Sequence, residues 1–288
     1  MCCDGRVTDD HDPDRLRAVA EQLAEEAAAF VRRRRTEVFG ADSTQDAAAA
    51  TRSKSTPTDP VTIVDTETER LLREQLAELR PGDPIVGEEE GGSAVGHHGR
   101  PTWVLDPIDG TVNFLYGIEA YAVSVGVQVD GRSVAGAVAN VPTGEIFSAA
   151  RGAGSHLLRD GVSTRLRCNP VDDVSMALVG TGFAYSPERR VQQAEVLARL
   201  IPDVRDVRRV GSCALDLCMV AAGRLDAYYE LGVNVWDWAA GALIAEEAGA
   251  TMILPPVVDD AGEGGLIVAA APGIARQLHE ALREAGAL

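Results

Sequence analysis

The chain has 288 residues, 45% of them hydrophobic, and a formal charge of −17. That is enough for one large or two modest domains with a substantial core, while the acidity argues against a nucleic-acid partner, which would require a basic face. No apolar run reaches the ~20 residues that span a bilayer, and the polar N-terminus lacks a signal-peptide core, so a cytoplasmic protein with no nucleic acid and no membrane among its partners is expected.

Residues 1–13 are polar and read as a disordered tail. Leu16, Val19, Leu23, Ala27, Phe30 and Val31 then keep helical spacing, predicting a long amphipathic helix to about Val38. The run Arg32-Arg33-Arg34-Arg35 falls near its end, where cations complement the dipole, and reads as a solvated helix end rather than a binding patch. Residues 40–52 read as a mobile loop. Thr66 and Glu69 have capping-box spacing, and Leu72, Leu76 and Leu79 continue a second helix that stops at Pro81-Gly82. Asp65 directly precedes that helix and, on its own, is a helix-start acid. The glycine-rich stretch 90–101 reads as a flexible flap. Its His97 and His98 read as solvent-exposed, because no third residue keeps metal-ligand spacing with them.

From Tyr121 the pattern shortens to strands over Tyr121–Val129, Val134–Val141, Glu145–Ala149 and His156–Leu158. Asp130-Gly131, Pro142-Thr143-Gly144 and Asp160-Gly161 separate them as hairpin punctuation. A strand over Ala177–Thr181, a helix from about Glu188 to Leu200 and a strand over Val204–Val210 follow. Ser212 is a plausible N-cap for an apolar, buried helix over Cys213–Ala222. A strand over Ala227–Glu230, a helix over Trp236–Gly249, a strand over Leu266–Ala271 and a helix over Ile274–Ala285 complete the chain. Mixed helices and meandering strands predict a layered α+β architecture. The five cysteines are odd in number and show no zinc-ligand spacing, which suits a reducing compartment.

The segment most loaded with chemistry is Asp106-Pro107-Ile108-Asp109-Gly110-Thr111, with Asn113 and Phe114 behind it. The apolar Trp103-Val104-Leu105 before it reads as a buried strand, so both acids sit where a strand ends and the chain turns. Carboxylates and a free carbonyl are the hard oxygen ligands that magnesium prefers, Gly110 permits close backbone approach, and a helix starting at Thr111 would favour a phosphate at its N-terminus. Alone, the pattern also fits a turn with an Asx cap. Its company raises it: Lys54 and Asp65, Gly87-Glu88-Glu89 upstream, and Trp236-Asp237-Trp238-Ala239-Ala240-Gly241 downstream.

On these segments the chain resembles the inositol monophosphatase family of magnesium-dependent, lithium-sensitive phosphatases, over about residues 14 to 287. The bacterial inositol-1-monophosphatases look most similar, especially through Asp226-Ala227-Tyr228-Tyr229-Glu230. The resemblance implies an α-β-α-β-α layered sandwich, with an N-terminal half to about residue 170, a C-terminal half from 171, and the active site between them. It implies hydrolysis of myo-inositol 1-phosphate, a homodimer, two or three Mg2+ ions and Li+ as inhibitor. One ion would be held by Glu88, Asp106 and the Ile108 carbonyl, a second by Asp106, Asp109 and Asp237, and a weaker third by Glu88 and water. Asp65 and Thr111 would orient and deprotonate the attacking water. Gly110 and Thr111 would hold phosphate oxygens, and Asp109, Gly211, Ser212, Cys213, Glu230 and Asp237 the inositol hydroxyls. Glu230 fits a strand-end surface acid equally well.

Three positions depart from the family pattern: Cys213 replaces a common alanine, Glu90 a smaller residue, and Asn234 a frequent histidine. They bear on substrate choice and metal affinity, not on reaction class. Relatives of this fold dephosphorylate fructose 1,6-bisphosphate, 3′-phosphoadenosine 5′-phosphate or histidinol phosphate, and some bind the transcription machinery. A bisphosphate would want additional cations, and the segment 211–237 offers Arg224 alone.

Overall fold

The computed structural model describes residues 11–40, 51–54, 60–92, 98–255 and 265–288. Residues 1–10 of the tail expected over 1–13, most of the loop over 40–52 and His97 in the glycine-rich stretch lie outside these residues, while Asp12 and Pro13 belong to the cap and first turn of a helix. A long helix, α1 (Pro13–Phe39), is followed by a short hairpin, β1 (Thr51–Ser53) with β2 (Pro60–Thr62), and by α2 (Ile63–Leu79). Seven strands then form one sheet in sequence order: β3 (Ile85–Gly87), β4 (Thr102–Asp109), β5 (Ala122–Val129), β6 (Arg132–Asn140), β7 (Ile146–Ala150), β8 (Gly154–Arg159) and β9 (Val162–Arg165). A short helix, α3 (Thr111–Tyr116), connects β4 to β5. β3 and β4 are parallel and the rest an antiparallel meander. Its Asp-Gly turns hold two consecutive positive φ values, 50° and 74° at Asp130-Gly131 and 51° and 75° at Asp160-Gly161, the geometry that matches strand twist.

The second sheet has five strands in the order β11 (Asp206–Arg208), β10 (Leu178–Thr181), β12 (Ala227–Val233), β14 (Gly265–Ala270), β13 (Thr251–Ile253). Its helices are α4 (Pro187–Leu200), α5 (Cys213–Ala221), α6 (Val235–Glu247) and α7 (Ala275–Ala285). Side chains alternate across this sheet as the pleat requires. Tyr228, Ile267 and Ala269 pack with Leu217, Val220 and Trp238 of α5 and α6, whereas Tyr229, Val268 and Ala270 pack with Val196, Leu200, Leu278 and Leu282 of α4 and α7. The first sheet is likewise covered twice. Val123, Val125 and Val127 meet α1 and α2, while Ala122, Val138 and Phe147 meet α5 and α6. The layers therefore run α1/α2, first sheet, α5/α6, second sheet, α4/α7, the expected α-β-α-β-α sandwich.

The middle helices lie close to the first sheet because the sheet presents glycine there. A Cβ on Gly126 would stand 2.8 Å from Ala239 Cβ, and one on Gly136 2.9 Å from Ala240 Cα. This approach brings the N-terminus of α6 to the end of β4.

Several local expectations are corrected. The capping box of α2 is Thr62 with Asp65, one turn earlier than Thr66 with Glu69, so Asp65 lies inside the first turn rather than before it. The strand expected over Val204–Val210 is limited to Asp206–Arg208, and β1, β2, β3, β9 and β13 were not foreseen. The arginine run is not simply solvated. Arg32 donates to the Val141 carbonyl at 2.8 Å, Arg34 pairs with Glu67 at 2.8 Å, and Arg35 donates to the Phe114 carbonyl at 3.1 Å while lying over the Phe114 ring. Helix α1 is thereby tied to α2, the meander and α3.

Candidate active site

The end of β4 does not simply turn. Asp106 faces Ser124 and Asp109 faces Ala122 on β5, so three steps along β4 oppose two along β5. This is a bulge. In a regular strand, residues three apart would point to opposite faces. The additional residue instead gives Asp106 and Asp109 the same facing, toward α5 and α6. Pro107, which has no N–H for the ladder, occupies the irregular stretch, and Asp106 Oδ1 accepts the Ile108 N–H at 3.0 Å. Gly110 then takes φ 98° as the cap of α3. A Cβ there would stand 2.9 Å from the Ala120 carbonyl and 3.2 Å from the Gly211 carbonyl. The loops carrying Gly110 and Gly211 are thus in backbone contact, and Asn113 fastens them with bonds to the Ala120 carbonyl at 2.7 Å and the Val210 carbonyl at 2.9 Å.

Asp65 and Asp237 are delivered by the same device. Each is the third residue of a helix, with one oxygen fixed by the backbone N–H of the cap: Thr62 to Asp65 Oδ2 at 2.9 Å and Asn234 to Asp237 Oδ2 at 2.6 Å. The other oxygen is left for the site. Asp65 Oδ1 receives Thr111 Oγ1 at 3.1 Å, and the same hydroxyl lies 3.1 Å from the Ile108 carbonyl. Asp109 Oδ2 accepts the Ser212 hydroxyl at 2.7 Å and the Ala214 N–H at 2.6 Å, which ties β4 to the start of α5. Glu88 follows β3, and Lys54 Nζ bridges Glu88 at 2.8 Å and Glu89 at 2.5 Å.

The electrostatics of this cluster are unfavourable without a cation. Burial raises the Asp106 carboxyl well above its usual range, and the negative charges of Glu88, Asp109 and Asp237 raise it further. Asp237 is raised well above the usual range by burial, then by Asp109 and Glu88. Asp65 and Asp109 are pushed up to about 6, burial being the main cause in each. One ammonium, Lys54, offsets part of this charge. As the side chains stand, no three His, Cys, Asp or Glu groups among the described residues converge on one point. The donor chemistry nonetheless fits hard divalent ions: four carboxylates and a carbonyl, all oxygen, crowded where their like charges resist joint ionisation.

Glu230 does not fit the reading as a strand-end surface acid, since it lies within β12 (Ala227–Val233). It is partly buried on β12, accepts a hydrogen bond from the Tyr228 hydroxyl at 2.5 Å, and acts electrostatically on Asp109 and Asp237. Its carboxylate fills the space where Gly182 would carry a side chain. Every residue singled out from the sequence for this site thus lies around the junction of β4, α2, α5, β12 and α6.

A family model, the inositol monophosphatase family, matches residues 12–287. The chain belongs to the inositol monophosphatase family. Inositol-1-monophosphatase of Mycobacterium leprae is 65% identical over 277 residues, 95% of each chain. The solved structure of Mycobacterium tuberculosis SuhB superposes with a TM-score of 0.82 at 58% identity, covering 97% of this chain and 100% of that one. A Vibrio cholerae protein named Nus factor SuhB is 38% identical, covering 79% of this chain and 84% of its own.

The structure also draws attention to residues that the sequence reading gave no role of their own. Tyr228, buried, orients Glu230. Arg209 approaches within 2.2 Å of the place a Gly211 side chain would take, and its charge acts on Glu230. Arg224, the single cation of the segment 211–237, is bound to Glu145 at 2.9 Å and lies over Phe147. Arg209 lies two residues before Gly211, just outside the segment 211–237. Asp216 of α5 is buried with Oδ1 unpartnered among the described residues, and neither its helix position nor its neighbours in sequence marked it.

Proposed function

We propose that this phosphatase hydrolyses myo-inositol 1-phosphate to inositol and phosphate with magnesium. The observation that carries the reading is the single-faced carboxylate cluster at the β4 bulge, with the Thr111–Asp65 pair beside it. Glu88, Asp106 and the Ile108 carbonyl would hold one ion, Asp106, Asp109 and Asp237 a second, and Glu88 with water a weaker third. When bound, such ions neutralise the phosphate, acidify water and stabilise the leaving alkoxide.

The protein's own contribution is proton handling and positioning. Both close partners of the Thr111 hydroxyl are acceptors, so its hydrogen points at Asp65 or at the Ile108 carbonyl and its lone pairs remain to accept from water. As water yields a proton to Thr111, the hydroxyl yields its own to Asp65 Oδ1. A carboxyl pushed up to about 6 is a stronger base than an ordinary aspartate. The Gly110 and Thr111 N–H groups, at the start of α3, face phosphate oxygens. Glu230, Asp109, Asp237 and the Gly211-Ser212-Cys213 segment face the polyol hydroxyls. A carboxylate such as Glu230 suits a neutral sugar alcohol and repels a second phosphate.

A homodimer is proposed from the family, and the exposed Tyr116 and Ile118 next to the site offer it an apolar surface. No helix among the described residues is long and apolar enough to cross a membrane, and Cys168, Cys213 and Cys218 are free thiols, which fits a cytoplasmic enzyme. A second reading, fructose 1,6-bisphosphate as substrate, is favoured by one observation, Arg209 beside Glu230. The reading as a binding partner of the transcription machinery is favoured by the name Nus factor SuhB of the Vibrio relative, but all the acids of the site are intact here.

The test is phosphate release with magnesium from inositol 1-phosphate, fructose 1,6-bisphosphate, 3′-phosphoadenosine 5′-phosphate and histidinol phosphate, each repeated with lithium and with sodium at equal ionic strength. The highest kcat/KM is expected for inositol 1-phosphate, with inhibition by lithium alone. A bisphosphate turned over at least about tenfold better, a difference of about 1.4 kcal/mol in transition-state binding, would contradict the substrate assignment.

A further inference from the structure

Glu69 is completely buried, yet it is none of the acids assigned above to ions or substrate. Its Oε2 accepts the backbone N–H of Glu89 at 2.7 Å, and its Oε1 that of Glu90 at 3.0 Å. Arg73, one turn further along α2, donates Nε to Glu69 Oε1 at 2.9 Å and Nη2 to the Gly91 carbonyl at 2.7 Å. The Gly87 N–H reaches that same carbonyl at 3.0 Å, and the Glu88 N–H reaches the Leu105 carbonyl of β4 at 3.2 Å. The turn 87–91 is therefore closed around a carboxylate. It can close so tightly only because a glycine begins it: a Cβ on Gly87 would stand 2.1 Å from Glu69 Oε1. With the N–H groups of Glu89 and Glu90 aimed at α2, the Glu88 side chain faces Lys54 and comes within hydrogen-bonding reach of Asp106.

A buried ion pair is a poor source of stability in itself, because desolvation offsets the attraction. Its orientation of a neighbouring ligand is a stronger reason for it to exist. We propose that Glu69, held by Arg73, is a positioning residue that fixes the Glu88 carboxylate relative to Asp106 and so sets the affinity of the site for divalent ions. Because Asp65 lies one turn earlier on the same helix, α2 keeps the base and the Glu88 turn in fixed register. The proposal rests on the reading of Glu88 as an ion ligand.

Glu69→Gln keeps the shape but gives one backbone N–H a donor in place of an acceptor. The full chain is assayed for Mg2+ binding by calorimetry without substrate, for kcat and KM at saturating Mg2+, and for thermal unfolding, with Glu88→Gln as reference. Glu69→Gln is expected to weaken Mg2+ binding about 10- to 100-fold, the usual effect of losing a partner that orients a ligand, with substrate KM at saturating Mg2+ held within about twofold. If Glu88→Gln weakens Mg2+ binding and Glu69→Gln binds it as the parent does, the positioning role is overturned and the reading of Glu88 stands. If Glu88→Gln itself binds Mg2+ as the parent does, that reading falls and takes this one with it. Should Glu69→Gln fail to fold, Arg73→Lys keeps the charge but loses the fork that reaches Gly91. Weaker Mg2+ binding in it supports the proposal, and unchanged binding overturns it.

Discussion

At the scale of single residues, the site is built from acids whose local positions look ordinary. Asp65 and Asp237 are both third residues of capping boxes, and a helix needs such an acid whether or not it catalyses anything. For that reason sequence alone left Asp65 as a helix-start acid, and the resemblance of the surrounding motifs gave it a role. The shift of the cap by one turn has a plain cause, since Thr62-x-x-Asp65 and Thr66-x-x-Glu69 carry the same spacing. The Thr111–Asp65 contact makes a specific prediction. Thr111→Val removes the hydroxyl with almost no change of shape, while Asp65 keeps its Thr62 partners. It should lower kcat about 10²- to 10⁴-fold, the usual contribution of a general acid–base group, and leave KM within about twofold. Steady-state rates at saturating Mg2+ decide it, and a kcat near that of the parent would remove Thr111 from the proton path.

At the scale of elements, legibility tracked length. Long periodic segments such as α1, α4 and α7, and hairpins with Asp-Gly turns, were readable because their signals repeat. Strands of three residues, β1, β2, β3 and β13, complete too few alternations to be told from loop, and it is pairing with a neighbouring strand that makes them strands. The bulge in β4 is the most consequential feature that was not read. Pro107 inside an apolar strand was its signal, because proline in a paired strand points to an edge or a bulge. Reading it would have explained why two acids three residues apart can serve one site. The tie between Asp109 and the start of α5 could not be read at all, since Ser212 and Ala214 lie more than a hundred residues away and nothing local announces the contact.

At the scale of the whole molecule, the layers fit together at the expense of gathering acids in one place, and pH should expose that. A carboxyl whose pKa is raised in the folded state binds its proton more tightly there than in the unfolded chain. Its stabilising contribution is complete below the ordinary value of 3.8 and is lost as pH rises through about 6 for Asp65 and Asp109, and burial with neighbouring negative charge shifts Asp106 and Asp237 in the same direction. Glu145, held low by Arg224, works in the opposite sense, but its window lies below 4.5. His156, depressed by burial, opposes the trend up to its ordinary 6.5. In excess chelator the unfolding temperature should therefore fall between pH 5 and pH 8, with the drop centred near 6, and the rise on adding Mg2+ should be larger at pH 8 than at pH 5. Scanning fluorimetry across that range checks both, and a chelated protein whose unfolding temperature is flat or rising there would mean that the carboxylates are not held at strain. The central claim, that this cluster works as a divalent-ion phosphatase centre, is tested most directly by one sample followed through three states: as purified, after exhaustive chelation, and after Mg2+ is restored. Phosphate release from inositol 1-phosphate should vanish on chelation and return with Mg2+, whereas full activity in excess chelator would contradict the account.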